Sequence, residues 1–113
     1  MARHMERILR VIGTDGGVIS ADDPGLLLGL TVFETVRCYE GVPFRLEAHL
    51  DRLEKSVAAL GMPDLNRAEV RKEMFSACRE NWRVRYTITA GGAHILDGAP
   101  VDLSRVGAPV TAA

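Results

Sequence analysis

The chain has 113 residues, of which 47% are hydrophobic, and its 14 basic side chains nearly balance 15 acidic ones, leaving a formal net charge of −1. A single domain of this length buries on the order of two-thirds of its unfolded surface, so a hydrophobic core can form without a metal or a disulfide. No apolar run approaches the roughly 20 residues that cross a bilayer, and the lack of a basic surplus argues against nucleic acid as a partner.

The cysteines and the N-terminus bear on the compartment. Cys38 and Cys78 are far apart in the sequence and form no CxxC pair, so we expect both to be reduced, as is usual in the cytoplasm. Arg3 and His4 near the N-terminus are not followed by an apolar segment, so no signal peptide is predicted. The sequence therefore predicts a cytoplasmic protein. Its cysteines and histidines show no metal-ligand spacing, and no metal site is expected.

The first element predicted along the chain is a short strand at Glu6–Ile12. It is followed by Thr14-Asp15-Gly16-Gly17, in which the glycines tolerate positive φ and favour a hairpin turn. Val18 and Ile19 would then begin the returning strand. The segment Ser20–Gly29, rich in Asp, Pro and Gly at its start, is typical of a loop.

A strand and a helix are predicted next. Thr31–Tyr39 is rich in β-branched and aromatic residues, as strands are, and a turn leads from it to a short strand at Val42–Arg45. From Leu46 the apolar spacing takes a helical period, and Gly61 and Pro63 end the helix. Its apolar face comprises Leu46, Leu50, Leu53, Val57 and Leu60.

The second predicted helix begins at Asn66, which can cap it while Glu69 completes a capping box. Its apolar stripe comprises Val70, Met74, Ala77 and Cys78. Trp82–Thr89 then alternates strictly, as a half-buried strand does. One face of that strand carries Trp82, Val84, Tyr86 and Ile88, and the other carries Arg83, Arg85, Thr87 and Thr89.

Strands separated by a pair of helices indicate an α+β fold, a two-layer sandwich in which a mainly antiparallel sheet carries two helices on one face. The uncovered face would present polar and aromatic side chains of the central strand: Thr31, Phe33, Thr35, Arg37 and Tyr39. Such a surface suits a ligand, because rings offer stacking area and a guanidinium matches an anion. An ordinary solvated face is the alternative, and the pattern alone leaves both open.

Three segments resemble the N-terminal domain of the class IV aminotransferases, the fold-type IV pyridoxal-phosphate enzymes. They are Gly29–Arg37 with an F-E-x-x-R element, Pro43–Leu53 with an H-x-x-R-L element, and Val84–Gly92. The segments follow one another in the order and spacing of that family. The family includes branched-chain and D-amino-acid aminotransferases and aminodeoxychorismate lyase.

The resemblance implies roles for four residues. Arg52 matches the arginine that binds the phosphate of pyridoxal 5'-phosphate, and Phe33 and Arg37 match positions near the substrate side of the pocket. Arg85 matches an arginine that, in branched-chain members, contributes to recognition of the substrate carboxylate. The residues by themselves allow another interpretation, in which Arg52 is a solvent-side helix residue and Arg37 and Arg85 form ion pairs, for instance with Glu34 or Glu40. His49 is expected to pack or cap locally rather than act as a base.

The resemblance also implies what the chain lacks. The family's lysine that bonds covalently to the cofactor lies in a following domain, and the two lysines present, Lys55 and Lys72, lie within predicted helices in unmatched contexts. We therefore expect residues 1–98 to form a small N-terminal domain and residues 99–113 to begin the connection to a C-terminal domain. No catalytic residue is assigned. The chain alone is expected to be inactive, and pyridoxal 5'-phosphate is expected to be bound by the full-length parent and not by this chain alone.

The resemblance further implies a parent homodimer that transfers an amino group between an amino acid and a 2-oxo acid. Two alternatives stay open. The parent could be an aminodeoxychorismate lyase, or the chain could be a stand-alone, non-catalytic binding or assembly module.

Overall fold

A computed structural model describes residues 6–102. It has an α+β architecture in which one antiparallel sheet is covered by helices, so the predicted fold class is confirmed. Its elements in chain order are β1 (Ile8–Ile12), a 3-10 turn (Asp15–Gly17), α1 (Pro24–Leu28), β2 (Thr31–Tyr39), β3 (Val42–Pro43), α2 (Leu46–Ala59), α3 (Arg67–Ser76), β4 (Trp82–Thr89) and β5 (His94–Pro100).

The five strands lie in the order β1-β5-β4-β2-β3, and every neighbouring pair is antiparallel. In the centre, Val36 of β2 faces Val84 of β4, and Thr35 faces Arg85. Because side chains alternate along a strand, this register gathers most apolar residues of β2 and β4 on one face, together with Glu34. The remaining polar residues lie on the other face, together with Phe33 and Tyr39.

The core lies between the first of these faces and the helices α2 and α3. Its largest fully buried side chains are Tyr86, Leu50, Leu53, Met74, Leu96, Val36, Val70, Val84 and Cys38. The predicted apolar face of α2 is confirmed except at Leu60, which is half exposed because the helix ends at Ala59 and Leu60 caps it.

The predicted start of α3 is confirmed, since the Oδ1 atom of Asn66 accepts a hydrogen bond from the backbone N–H of Glu69. The helix is shorter than its apolar stripe suggested. It ends at Ser76, so Ala77 and Cys78 lie in the connection to β4, where Ala77 is nonetheless buried.

Two sequence expectations about the sheet are wrong. Val18 and Ile19 form no strand, and β1 pairs instead with β5, which was not predicted. The β5 segment contains Asp97, Gly98 and Pro100, which have low strand propensity, so its strand conformation is imposed by β1 and β4 on its two sides. The boundary expected at residue 98 lies inside this strand, and the division into domains stays a prediction.

The expectation of two reduced cysteines is also wrong for this structure, in which Cys38 and Cys78 form a disulfide with their Cα atoms 5.7 Å apart. The chain reverses after α3 and returns beside the end of β2, where the N–H of Asn81 donates to the carbonyl oxygen of Cys38. Sequence separation gives no hint of this approach. Among the described residues, no helix has the length and apolar character needed to cross a bilayer.

Candidate functional site

The sheet face turned away from α2 and α3, here called the open face, carries Phe33, Thr35 and Arg37 of β2, Arg83 and Arg85 of β4, and Asp97 of β5. The register places Arg85 between Thr35 and Asp97, and it places Arg37 opposite Arg83. Three of the four predicted site residues, Phe33, Arg37 and Arg85, therefore lie on one surface.

The guanidinium of Arg85 stacks on the ring of Phe33, with Cζ 3.8 Å from the ring centroid. Phe33 is 45% exposed, so the stacked pair is open to solvent on the sheet surface. A cation over an aromatic face is attracted to it and loses rotamer freedom. Within the described residues Arg85 forms no ion pair, so its donors stay available to an anion.

Arg37 lies beside the aromatic side of the open face. Its Cζ atom is 5.1 Å from the centroid of Tyr39, and Tyr39 meets Phe44 edge to face at 5.7 Å. The Nε atom of Arg37 is buried and has no hydrogen-bond partner among the described residues. An unpaired buried N–H costs free energy, so Arg37 would gain from any rearrangement of its side chain that gives Nε an acceptor.

The charge of the open face is positive. Asp97 accepts from Arg7 at 3.0 Å and lies 3.8 Å from Arg83, so this one carboxylate is shared between two cations. Arg37 and Arg85 add two further positive charges. Glu34, considered from the sequence as a partner of Arg37 or Arg85, points to the opposite face, so that interpretation is wrong for Glu34.

Arg52, the fourth predicted site residue, lies apart from the open face on α2. Its Nη2 atom is 3.1 Å and its Nε atom 3.3 Å from Oε1 of Glu34, and Nδ1 of His49 is 2.6 Å from the same oxygen. We call Glu34, His49 and Arg52 the Glu34 cluster. The Arg52 side chain remains 62% exposed, so it is both held by the protein and open to solvent.

Asp23 was not singled out from the sequence. The residue is only 5% exposed, and its carboxylate accepts hydrogen bonds from the hydroxyl of Thr89 at 2.6 Å and from the N–H groups of Gly25 at 2.7 Å and Gly91 at 3.0 Å. These bonds, that from Thr89 above all, hold the pKa of Asp23 below its ordinary value. Asp23 thereby fixes α1 against the β4–β5 turn. The Asp-Pro-Gly order at a helix start was the available signal.

Lys55 and Lys72 are exposed on α2 and α3, away from the open face. Residues 6–102 contain no group of three or more side chains placed to hold a metal ion.

The sequence model described as Amino-transferase class IV matches residues 31–105, about two thirds of the chain. The chain belongs to the class IV aminotransferase family. This matched range contains all four predicted site residues, both strands that form the centre of the open face, and the whole Glu34 cluster.

Related proteins agree with this assignment. The aminodeoxychorismate lyase of Bacillus subtilis (strain 168) is 37% identical over 81 residues, which cover 66% of this chain and 28% of that protein. The crystal structure of 4-amino-4-deoxychorismate lyase from Pseudomonas aeruginosa matches with a TM-score of 0.65 and 30% identity over 82% of this chain and 40% of that one. A hypothetical aminotransferase from Mycobacterium tuberculosis in a PLP-bound form has a TM-score of 0.72 at 20% identity, covering 88% and 41%, and shows the shared fold.

This class IV chain therefore spans between about a quarter and two fifths of the length of these relatives.

Proposed function

We propose that this chain supplies the N-terminal part of a pyridoxal-phosphate-dependent class IV aminotransferase, which moves an amino group between an amino acid and a 2-oxo acid. The observation that carries the proposal is the Arg85–Phe33 pair on the open face, in which the guanidinium stacks at 3.8 Å on the ring and Arg85 has no ion-pair partner among the described residues. A planar guanidinium matches the two oxygens of a carboxylate, the group that both substrates share.

Arg52 keeps a hydrogen-bond donor that Glu34 does not engage, and this donor suits the proposed role of Arg52 in binding the cofactor phosphate. Glu34 engages Nε and Nη2 of Arg52, so Nη1 has no partner among the described residues and can donate to a phosphate oxygen. When bound, pyridoxal phosphate supplies the electron sink for chemistry at the substrate α-carbon. This chain's part is to bind the phosphate and to orient the substrate carboxylate.

The substrate side is tested by titrating the isotope-labelled chain with a 2-oxo acid and following backbone and arginine side-chain NMR signals. We expect shifts concentrated at Phe33, Arg37 and Arg85, and their loss in Arg85→Lys, because an ammonium cannot reproduce the planar fork. Arg79→Lys is the matched control, since Arg79 also stacks on a ring, that of Trp82 at 5.1 Å. Equal loss in both variants would refute a specific role for Arg85.

We also propose that the chain alone is catalytically inactive. Lys55 and Lys72 lie on the exposed sides of α2 and α3, on the opposite layer from the open face. Mixing the chain with pyridoxal phosphate and reducing with borohydride should label neither lysine stoichiometrically by peptide mass spectrometry. A single, fully labelled lysine would contradict this proposal.

A lyase parent is the second candidate, favoured by the 37% and 30% identity to two aminodeoxychorismate lyases. The two activities can be separated in a protein extended to the length of those relatives. A transferase consumes a 2-oxo acid in step with amino-group transfer, whereas a lyase releases pyruvate from aminodeoxychorismate with no 2-oxo acid added.

We further propose that the parent is a homodimer. The support is the apolar surface of α1, where Leu26, Leu27 and Leu28 are 63%, 65% and 73% exposed, since apolar surface of this kind marks interaction sites. Sedimentation of the extended protein tests the proposal. The cytoplasmic location stays a prediction, and the pairing of Cys38 with Cys78 removes the part of its argument that depended on reduced cysteines.

A further inference from the structure

The starting observation is an acidic residue on the apolar face of β2. Its neighbours on that face, Val32, Val36 and Cys38, are buried, and the side chain of Glu34 is only 15% exposed. A carboxylate in such a place is costly unless it is paired, and apolar residues of similar volume often serve stability equally well or better than an ion pair. Stability alone therefore gives little reason for Glu34.

The partners of Glu34 suggest what it does. One oxygen of Glu34, Oε1, accepts hydrogen bonds from Nδ1–H of His49 at 2.6 Å and from Nε and Nη2 of Arg52 at 3.3 and 3.1 Å. Because the N–H at Nδ1 of His49 donates its hydrogen bond to Glu34, Nδ1 cannot also accept from Nη2 of Arg52, 3.0 Å away, so that contact is packing. His49 and Arg52 lie three residues apart on α2, where helical side chains are neighbours.

Both partners act on the same guanidinium. Glu34 holds one edge of Arg52, and the ring of His49 packs against Nη2 on that edge, while the side chain stays 62% exposed. A free arginine loses much rotamer freedom when it captures an anion, and prior fixation removes that cost. The edge that carries Nη1 is then presented to solvent in a fixed direction.

We infer that Glu34 and His49 are positioning residues, which hold the Arg52 guanidinium ready for the cofactor phosphate. This inference depends on the proposed function, in which Arg52 binds that phosphate. Neither residue touches the phosphate. They act through Arg52 by fixing which of its N–H groups faces the anion.

A simple ion pair would behave in the opposite way. The Glu34 carboxylate carries a negative charge close to the anion's site, so its removal should strengthen phosphate binding if charge were the only effect. Positioning requires that Glu34→Gln weakens binding even though the substitution removes a repulsive charge. The sign of the change therefore separates the two interpretations.

The test uses the isotope-labelled chain, in which weak binding of the anion at Arg52 is sufficient and a complete cofactor site is not required. Its three probes are inorganic phosphate, pyridoxal 5'-phosphate and pyridoxal, which lacks the phosphate. In the wild type we expect a slowly exchanging Arg52 Nε–H signal that shifts with both phosphates and not with pyridoxal. In Glu34→Gln we expect its hydrogen exchange to rise at least tenfold and the dissociation constant for phosphate to rise at least threefold. His49→Gln should change both quantities in the same direction.

Glu47→Gln is the matched control, because Glu47 is a glutamate on α2 that also pairs with arginines, in its case Arg67 and Arg71 of α3. It should leave the Arg52 signal and phosphate binding unchanged. Unchanged or tighter phosphate binding by folded Glu34→Gln would overturn the positioning role while Arg52 remains the phosphate contact. If wild type and Arg52→Lys respond alike to phosphate, the proposed role of Arg52 fails, and the positioning role fails with it.

Discussion

Reduction of the Cys38–Cys78 disulfide should lower the free energy of unfolding by about 4 kcal/mol. The bond closes a loop with a sequence separation of 40 residues. In the chain-entropy account, cross-linking restricts the unfolded chain by an amount that rises from about 3 kcal/mol for a 15-residue loop to about 4.7 kcal/mol for 100 residues. Cys38 is fully buried at the end of β2, so the folded state should keep its packing when the bond opens.

The measurement is urea-induced unfolding followed by circular dichroism, with and without a phosphine reductant. About 4 kcal/mol corresponds to a nearly thousandfold larger unfolded fraction, which is a large part of the roughly 5–15 kcal/mol that stabilises a typical domain. Cys78→Ser is the control. Cys78 is partly exposed, so a serine hydroxyl there can contact water. The free energy of unfolding of this variant should equal that of the reduced wild type and should not change when the reductant is added.

Two results would refute this reasoning. The first is a decrease of less than about 1 kcal/mol in the free energy of unfolding on reduction, which would mean that the unfolded chain gains little conformational freedom when the bond opens. The second is the finding by mass spectrometry of two free thiols in the folded chain under air.

Three other predictions concern stability. Gly91→Ala should lower the melting temperature, since an added Cβ would overlap the Asp23 carboxyl group, and overpacking of this kind costs about 1–3 kcal/mol; an unchanged melting temperature would count against it. The pKa of Asp23 is lowered in the fold, so its ionised carboxylate should stabilise the protein fully above the ordinary carboxyl pKa. This stabilisation should be lost as pH falls through the pKa of Asp23 in the folded state, and in Asp23→Asn the free energy of unfolding should depend less on pH on the acid side. Leu53→Ala should cost about 2–5 kcal/mol, and Leu60→Ala on the exposed end of the same helix should cost under about 1 kcal/mol.

Local patterns were sufficient to predict the elements that form the centre of the fold. The period of α2 and the alternation in β2 and β4 are properties of neighbouring residues, and each buries one apolar face. The same alternation placed Phe33, Arg37 and Arg85 on one surface. The capping of α3 by Asn66 was likewise readable, because the capping bond spans only three residues.

Features that depend on distant residues could not be predicted in this way. The strand β5 takes its conformation from neighbours, and the approach of Cys78 to Cys38 depends on how α3 returns to the sheet. From the sequence, His49 was expected to pack or cap locally, and Glu34 was considered as an ion-pair partner for Arg37 or Arg85. The pairing of Glu34 with Arg52 instead depends on which face of β2 the helix α2 covers.

The position of β1 in the sheet constrains the order of folding. Ile8 pairs with Gly98 and Ile12 with His94, so the strand nearest the N-terminus is joined to the last strand described. Pairing between such distant residues carries a large loop-closure entropy and slows folding. During synthesis β1 therefore has no strand to pair with until β5 has left the ribosome. It cannot belong to a folding nucleus built from β2, β4 and α2.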